Sequence, residues 1–150
     1  MLPVLAASDA SPARTLEALI KEHAPAEASD FLQAPGDLYF EMHRVDTTSR
    51  ITYLGEHRPI PEERRRFLEA YFERALKQPA WSAQYKEEVL CSEGKTHYWL
   101  PLQDSLLGYL VEEIKAPAEL AMGIGFLGAY RARSGDLIDV LIVTEFSEPK

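Results

Sequence analysis

A chain of 150 residues with formal charge −8, 46% apolar and 27% charged residues and one cysteine is neither disordered nor collagen-like. One thiol excludes an internal disulfide and a cysteine-built zinc site. The acidic balance argues against nucleic acid as a partner, because binding to phosphates is driven by Lys and Arg displacing counterions.

No apolar run reaches the 18 or so residues of a membrane span, so the expectation is a soluble bacterial protein with no membrane partner, cytoplasmic as given. The alternative compartment is periplasmic. Met1-Leu2-Pro3-Val4-Leu5-Ala6-Ala7-Ser8 is a short apolar start whose Val4-Leu5-Ala6 resembles the tail of a truncated secretory signal. Residues 1–150 form one domain, with 1–12 expected as a flexible or processed N-terminus.

Ser11-Pro12 is a cap followed by proline at a first helical position, and Leu16, Leu19 and Ile20 recur at helical spacing up to His23. Pro25 and Pro35-Gly36-Asp37 leave room for further helical turns around Ala28 to Leu32. From Leu38 the apolar period becomes two. Leu38, Phe40 and Met42 alternate with Tyr39, Glu41 and His43, Asp46-Thr47-Thr48-Ser49 reads as a turn, and Ile51 to His57 reads as a second strand of a β-hairpin. Pro61 opens a helix whose Phe67, Leu68, Tyr71, Phe72, Ala75 and Leu76 form one apolar stripe, and Pro79 ends it.

A second hairpin is predicted from Glu87 to Ser92 and Thr96 to Leu102 through Glu93-Gly94-Lys95. Asp104 can cap the next helix, in which Leu106, Leu107, Leu110, Val111 and Ile114 share a face. Leu120 to Arg131 and Leu137 to Phe146, joined by Arg133-Ser134-Gly135-Asp136, make a third hairpin. The predicted class is α+β, an antiparallel sheet of about six strands from three β-hairpins with three or four helices packed on it.

Gly123-Ile124-Gly125-Phe126-Leu127-Gly128 matches the G-x-G-x-x-G spacing of a dinucleotide turn. That turn works by opening a helix whose N-terminus receives the pyrophosphate. Ala129 to Gly135 offers no apolar helical face, so no cofactor is expected. The three glycines are expected within a strand, at a bulge or a close approach of another group. Gly123 and Gly125, two apart, share a bare face.

Glu41, His43 and His57 are the candidates for acid/base chemistry, since a carboxylate beside an imidazole can be tuned toward neutral pH. They require the first hairpin to bring His57 beside the other two, and an ordinary solvated sheet face gives the same pattern. His23, His43, His57 and His97 lack the paired spacing of a metal site, and no metal is expected. Cys91, in an apolar run, reads as an inert buried thiol.

Arg64, Arg65 and Arg66 are the candidate partner-binding residues. They lie in a stretch, Arg58 to Lys77, with six basic and four acidic residues on an otherwise acidic chain. Spacings of four between Glu62 and Arg66, Arg65 and Glu69, and Glu73 and Lys77 equally fit ion pairs along a solvated helix. The leading expectation is a non-catalytic binding module with a protein partner. The alternatives are a small-ligand pocket protein or acid/base enzyme on a curved sheet resembling an NTF2-like cone, and a barrel for single-stranded nucleic acid.

Overall fold

The structure, a computed structural model, describes residues 15–23, 32–34 and 38–147. In chain order it contains helix α1 (Leu16–His23), strands β1 (Leu32–Ala34) and β2 (Leu38–Pro59), helix α2 (Glu62–Arg74), a 3-10 helix (Pro79–Gln84), strands β3 (Glu87–Glu93) and β4 (Thr96–Leu102), helix α3 (Asp104–Glu113), and strands β5 (Ala118–Arg131) and β6 (Leu137–Ser147). The α+β class holds. The sheet, however, is not a stack of three hairpins.

The first predicted hairpin does not form. Asp46, Thr47, Thr48 and Ser49 run straight through the middle of β2 and pair with Gly125, Ile124, Gly123 and Met122 of β5. The polar quartet looks like a turn locally, but Thr is a good strand residue and the ladder it joins lies some 75 positions further along the chain. β2 is therefore a single 22-residue strand. Its first part pairs with β5 and its end, from Thr52 to Pro59, with β3.

That double pairing closes the sheet. The order β2-β3-β4-β6-β5 returns to β2, giving a five-stranded barrel with β1 added at the edge of β2. All neighbours are antiparallel except β4 and β6, which meet in parallel at Leu102 and Val143. Closure removes the free edges that an open hairpin sheet exposes, and it replaces the predicted sheet of three hairpins.

The pattern of the last two strands follows from this closure. Leu120, Met122, Ile124 and Phe126 of β5 and Leu141 and Val143 of β6 belong to one buried cluster, with Ile51, Tyr53, Val89, Cys91, Leu100 and Leu102. Leu127, Ala129, Val140 and Ile142 belong to another, against Phe67, Leu68, Tyr71 and Phe72 of α2. Successive residues point to opposite faces of a strand, so both faces here are buried, one in the barrel and one under α2. Such strands read as continuous apolar runs.

Leu106, Leu107 and Leu110 of α3 and Leu16 and Leu19 of α1 complete the barrel cluster. The α3 cap position is Gln103, with no side-chain cap bond, so Asp104 opens the helix from inside it. The predicted cap of α1, Ser11-Pro12, lies outside the described residues, as do the turns from Ala28; Leu32, their predicted end, begins β1. What caps α1 comes partly from elsewhere. Thr15 Oγ1 accepts the Ala18 N–H at 3.1 Å, and Glu93 Oε1 and Oε2, from the end of β3, accept the Leu16 N–H at 2.9 and 3.0 Å. A carboxylate suits the positive end of the helix dipole and ties α1 to the β3–β4 turn.

Candidate functional site

The chain between β2 and β3 carries α2 and the 3-10 helix back over the outside of the barrel. Beneath them lies a cavity of about 510 Å³. One wall is aromatic and aliphatic, from Phe72, Leu76, Trp81 and Tyr85; the other is the barrel surface, with Arg44 and Asp46 of β2, Gly123 of β5, and Ile142, Thr144 and Glu145 of β6. Phe72 holds the aromatic wall together, its ring centroid 5.1 Å from Tyr85 and 6.4 Å from Trp81 in an edge-on arrangement. Trp81 remains 44% exposed, at the rim.

Strand irregularities aim the polar groups. Gly123 pairs with Glu145 and Ile124 with Val143, so Thr144 is the extra residue of a bulge. Both Thr144 and Glu145 line the cavity, although strict alternation would turn one of them away. A second irregularity separates the Met42–Gly128 and Val45–Phe126 pairs, and Arg44 sits within it. Arg44 Nε donates to Asp46 Oδ1 and Oδ2 at 3.1 and 3.3 Å, and Nη1 reaches the Tyr71 hydroxyl at 3.4 Å.

The glycines of the false fingerprint are the floor of this arrangement. No helix follows Gly128, which lies inside β5. A Cβ on Gly123 would stand 2.6 Å from Glu145 Cγ and 2.7 Å from Thr144 Oγ1, too close for any side chain to be added without movement. On Gly125 it would meet Asp46 Oδ1 at 3.2 Å. The missing side chains are the space in which Glu145 and Asp46 lie.

Burial pushes the Tyr85 phenol up to about 12, so at neutral pH it serves as a neutral hydrogen-bonding group and not as a base. Cys91 is fully buried in the barrel, and burial pushes its thiol up to about 12. The native protein should therefore react with a thiol reagent such as DTNB only through opening of the barrel, at a rate at least a hundredfold below that of the urea-unfolded chain. Fast labelling of folded protein would contradict the buried position.

The sequence-predicted candidates are dispersed. Glu41 and His43 stand in the part of β2 that faces β5, with Glu41 opposite Ala129, whereas His57 is opposite Val89 of β3. Because the hairpin is absent, the strand holds them apart instead of folding them together. His57 Nδ1 instead lies 2.6 Å from Glu87 Oε1, beside a shallow groove lined also by Lys86, Asp104 and Val111. His97 is exposed, opposite Ser92 of β3. Among the described residues no group of His, Cys, Asp and Glu is arranged to hold a metal ion, and no helix is long and apolar enough to cross a membrane.

Arg64 is not displayed to solvent. It pairs with Glu88, which is 0% exposed and also receives Arg58 Nε at 2.6 Å. Arg58 in turn covers Trp99, 4.0 Å from the ring centroid. Arg65 keeps the helical spacing partner that the sequence suggests, Glu69, at a loose 3.9 Å on the surface. Sequence reasoning missed Arg44, Asp46, Thr144 and Glu145; the signals present were the shared bare face of Gly123 and Gly125 and a tryptophan beside Pro79. In comparisons with known families, curated proteins and solved structures, the chain matches none.

Proposed function

We propose that the protein is a non-catalytic binding module whose site is the cavity between α2, the 3-10 helix and the barrel, and whose partner there is a small molecule. The observation that carries this reading is the cavity itself. At about 510 Å³ it has the size of small-molecule sites, which are mostly apolar with a few convergent polar groups. Bulges that re-aim side chains are over-represented beside functional sites, and Arg44, Thr144 and Glu145 all depend on one.

Two features weigh against the other readings. The loss of the hairpin leaves Glu41, His43 and His57 without a shared site for acid/base work. A five-stranded Greek-key barrel is the architecture of OB-folds, which bind nucleic acid across their second and third barrel strands. Here that face belongs to β3 and β4, where Glu88 and Trp99 are taken by Arg58 and Arg64, and the charge of −8 opposes phosphate.

The test is a fragment screen by amide NMR on the protein and on Leu76→Trp, which fills the cavity from its outer wall. Fragments that bind should shift the Trp81 indole and the Gly123 amide, and Leu76→Trp should weaken them at least tenfold. Binders that leave those two resonances unmoved, or that ignore the filled cavity, would remove the proposal.

A further inference from the structure

The charges lining the cavity are not equivalent. Arg44 and Asp46 form a side-on pair, with Nη2 also 3.1 Å from Asp46 Oδ1, so each largely neutralises the other. Glu145 has no ion-pair partner among the described residues, although its side chain is held over Gly123 by the bulge. The cavity thus presents one uncompensated carboxylate beside Thr144 Oγ1 and a wall of three aromatic rings.

From this we infer that the cavity selects organic cations, namely an amine carried on an apolar or aromatic body. The inference rests on the reading of the cavity as the binding site. The ammonium N–H groups donate to the Glu145 carboxylate and the Thr144 hydroxyl, while the body lies against Phe72, Leu76 and Trp81. The negative faces of aromatic rings attract a cation and give no such help to an anion. An anionic ligand would need Arg44, which is already spent on Asp46 and Tyr71, and it would face Glu145 unscreened.

Three probes of one shape separate the possibilities: phenethylamine, phenethyl alcohol and phenylacetate, titrated by amide NMR at neutral pH and low salt. The amine is expected to bind roughly tenfold or more tighter than the alcohol, with phenylacetate weakest, as charge-assisted hydrogen bonds exceed neutral ones. Glu145→Gln should remove the preference for the amine while leaving the alcohol unchanged, and its amide spectrum reports that the fold is kept. Equal binding of amine and alcohol with shifts at Trp81, or an amine affinity indifferent to Glu145→Gln, would overturn the cation inference and leave the site reading standing. If none of the three moves the Trp81 or Gly123 resonances, and the fragment screen finds nothing there either, both fall.

Discussion

Arg64→Ala is expected to cost about 3 kcal/mol of folding stability, while Arg65→Ala, one position away on the same helix, costs less than about 0.5 kcal/mol. The difference arises from what each arginine faces. Arg65 meets Glu69 at the surface, where solvent screens the pair and holding two long side chains still costs entropy. Arg64 meets a carboxylate with no exposure at all. Among the described residues, removing it leaves Glu88 with Arg58 as its one ion-pair partner, whose side chain is 41% exposed.

A buried charge that loses part of its compensation is destabilising well beyond the worth of the lost contact, because its desolvation remains. For a chain of this length the loss would lower the melting temperature by roughly 6–12 °C. Urea unfolding of the two single variants measures it. The double variant Glu88→Met with Arg64→Leu should recover much of the loss, since apolar replacements remove the desolvation together with the attraction. An Arg64→Ala protein within about 0.5 kcal/mol of the parent would show that the Glu88 cluster contributes nothing measurable.

The same cluster shows why the arginine run misleads at the level of sequence. Arg64, Arg65 and Arg66 are identical letters, and helical spacing offers a carboxylate four positions away to Arg65 and Arg66 but only Ile60 and Leu68 to Arg64. What separates Arg64 from Arg65 is Glu88, 24 positions along the chain, on a strand whose placement against α2 depends on the barrel being closed. Local patterns were legible wherever the pairing was local. The β3–β4 and β5–β6 hairpins and the α2 stripe have neighbours a few residues off, so period and turn residues predict them to within a residue or two.

Asp46 to Ser49 is the opposite case. Its residues favour a turn in isolation, and the strand they form is decided by β5, which the local pattern cannot see. The cavity inherits that blindness, since its polar wall is built on this β2–β5 ladder and its aromatic wall on an insertion folded back over it. Gly123 and Gly125 could be placed correctly on one bare strand face. That the face is the floor of a cavity required knowing what lies opposite.

Asp139→Asn is expected to stabilise the protein at neutral pH and to leave it unchanged near pH 3.5, and the shape of that difference is the informative part. Asp139 stands on β6 opposite Ala129, its Oδ1 buried with no hydrogen-bond partner among the described residues. Burial pushes its carboxyl up to about 6, against about 3.9 for an unfolded aspartate. Between those values the native state holds the proton that the unfolded chain has already released. Stability therefore falls as pH rises through roughly 4 to 6 and is level above that. Two units would correspond to almost 3 kcal/mol at most. Partial solvent access to the side chain reduces this to about 1–2 kcal/mol, or roughly 3–6 °C in melting temperature.

To isolate the contribution of this one group, the measurement is the parent-minus-variant difference, taken by urea unfolding at several pH values. It should grow from near zero at low pH to its full value above pH 6. An Asp139→Asn effect that is flat with pH, or that destabilises at neutral pH, would mean that the charged carboxylate is compensated in solution. Asp139 is not among the residues that line the cavity, so the variant should bind phenethylamine as the parent does. That makes it the natural partner to Glu145→Gln: of two carboxylates on one strand, the first alters how stability depends on pH and the second which ligand charge is preferred, and neither substitution should reproduce the other's effect.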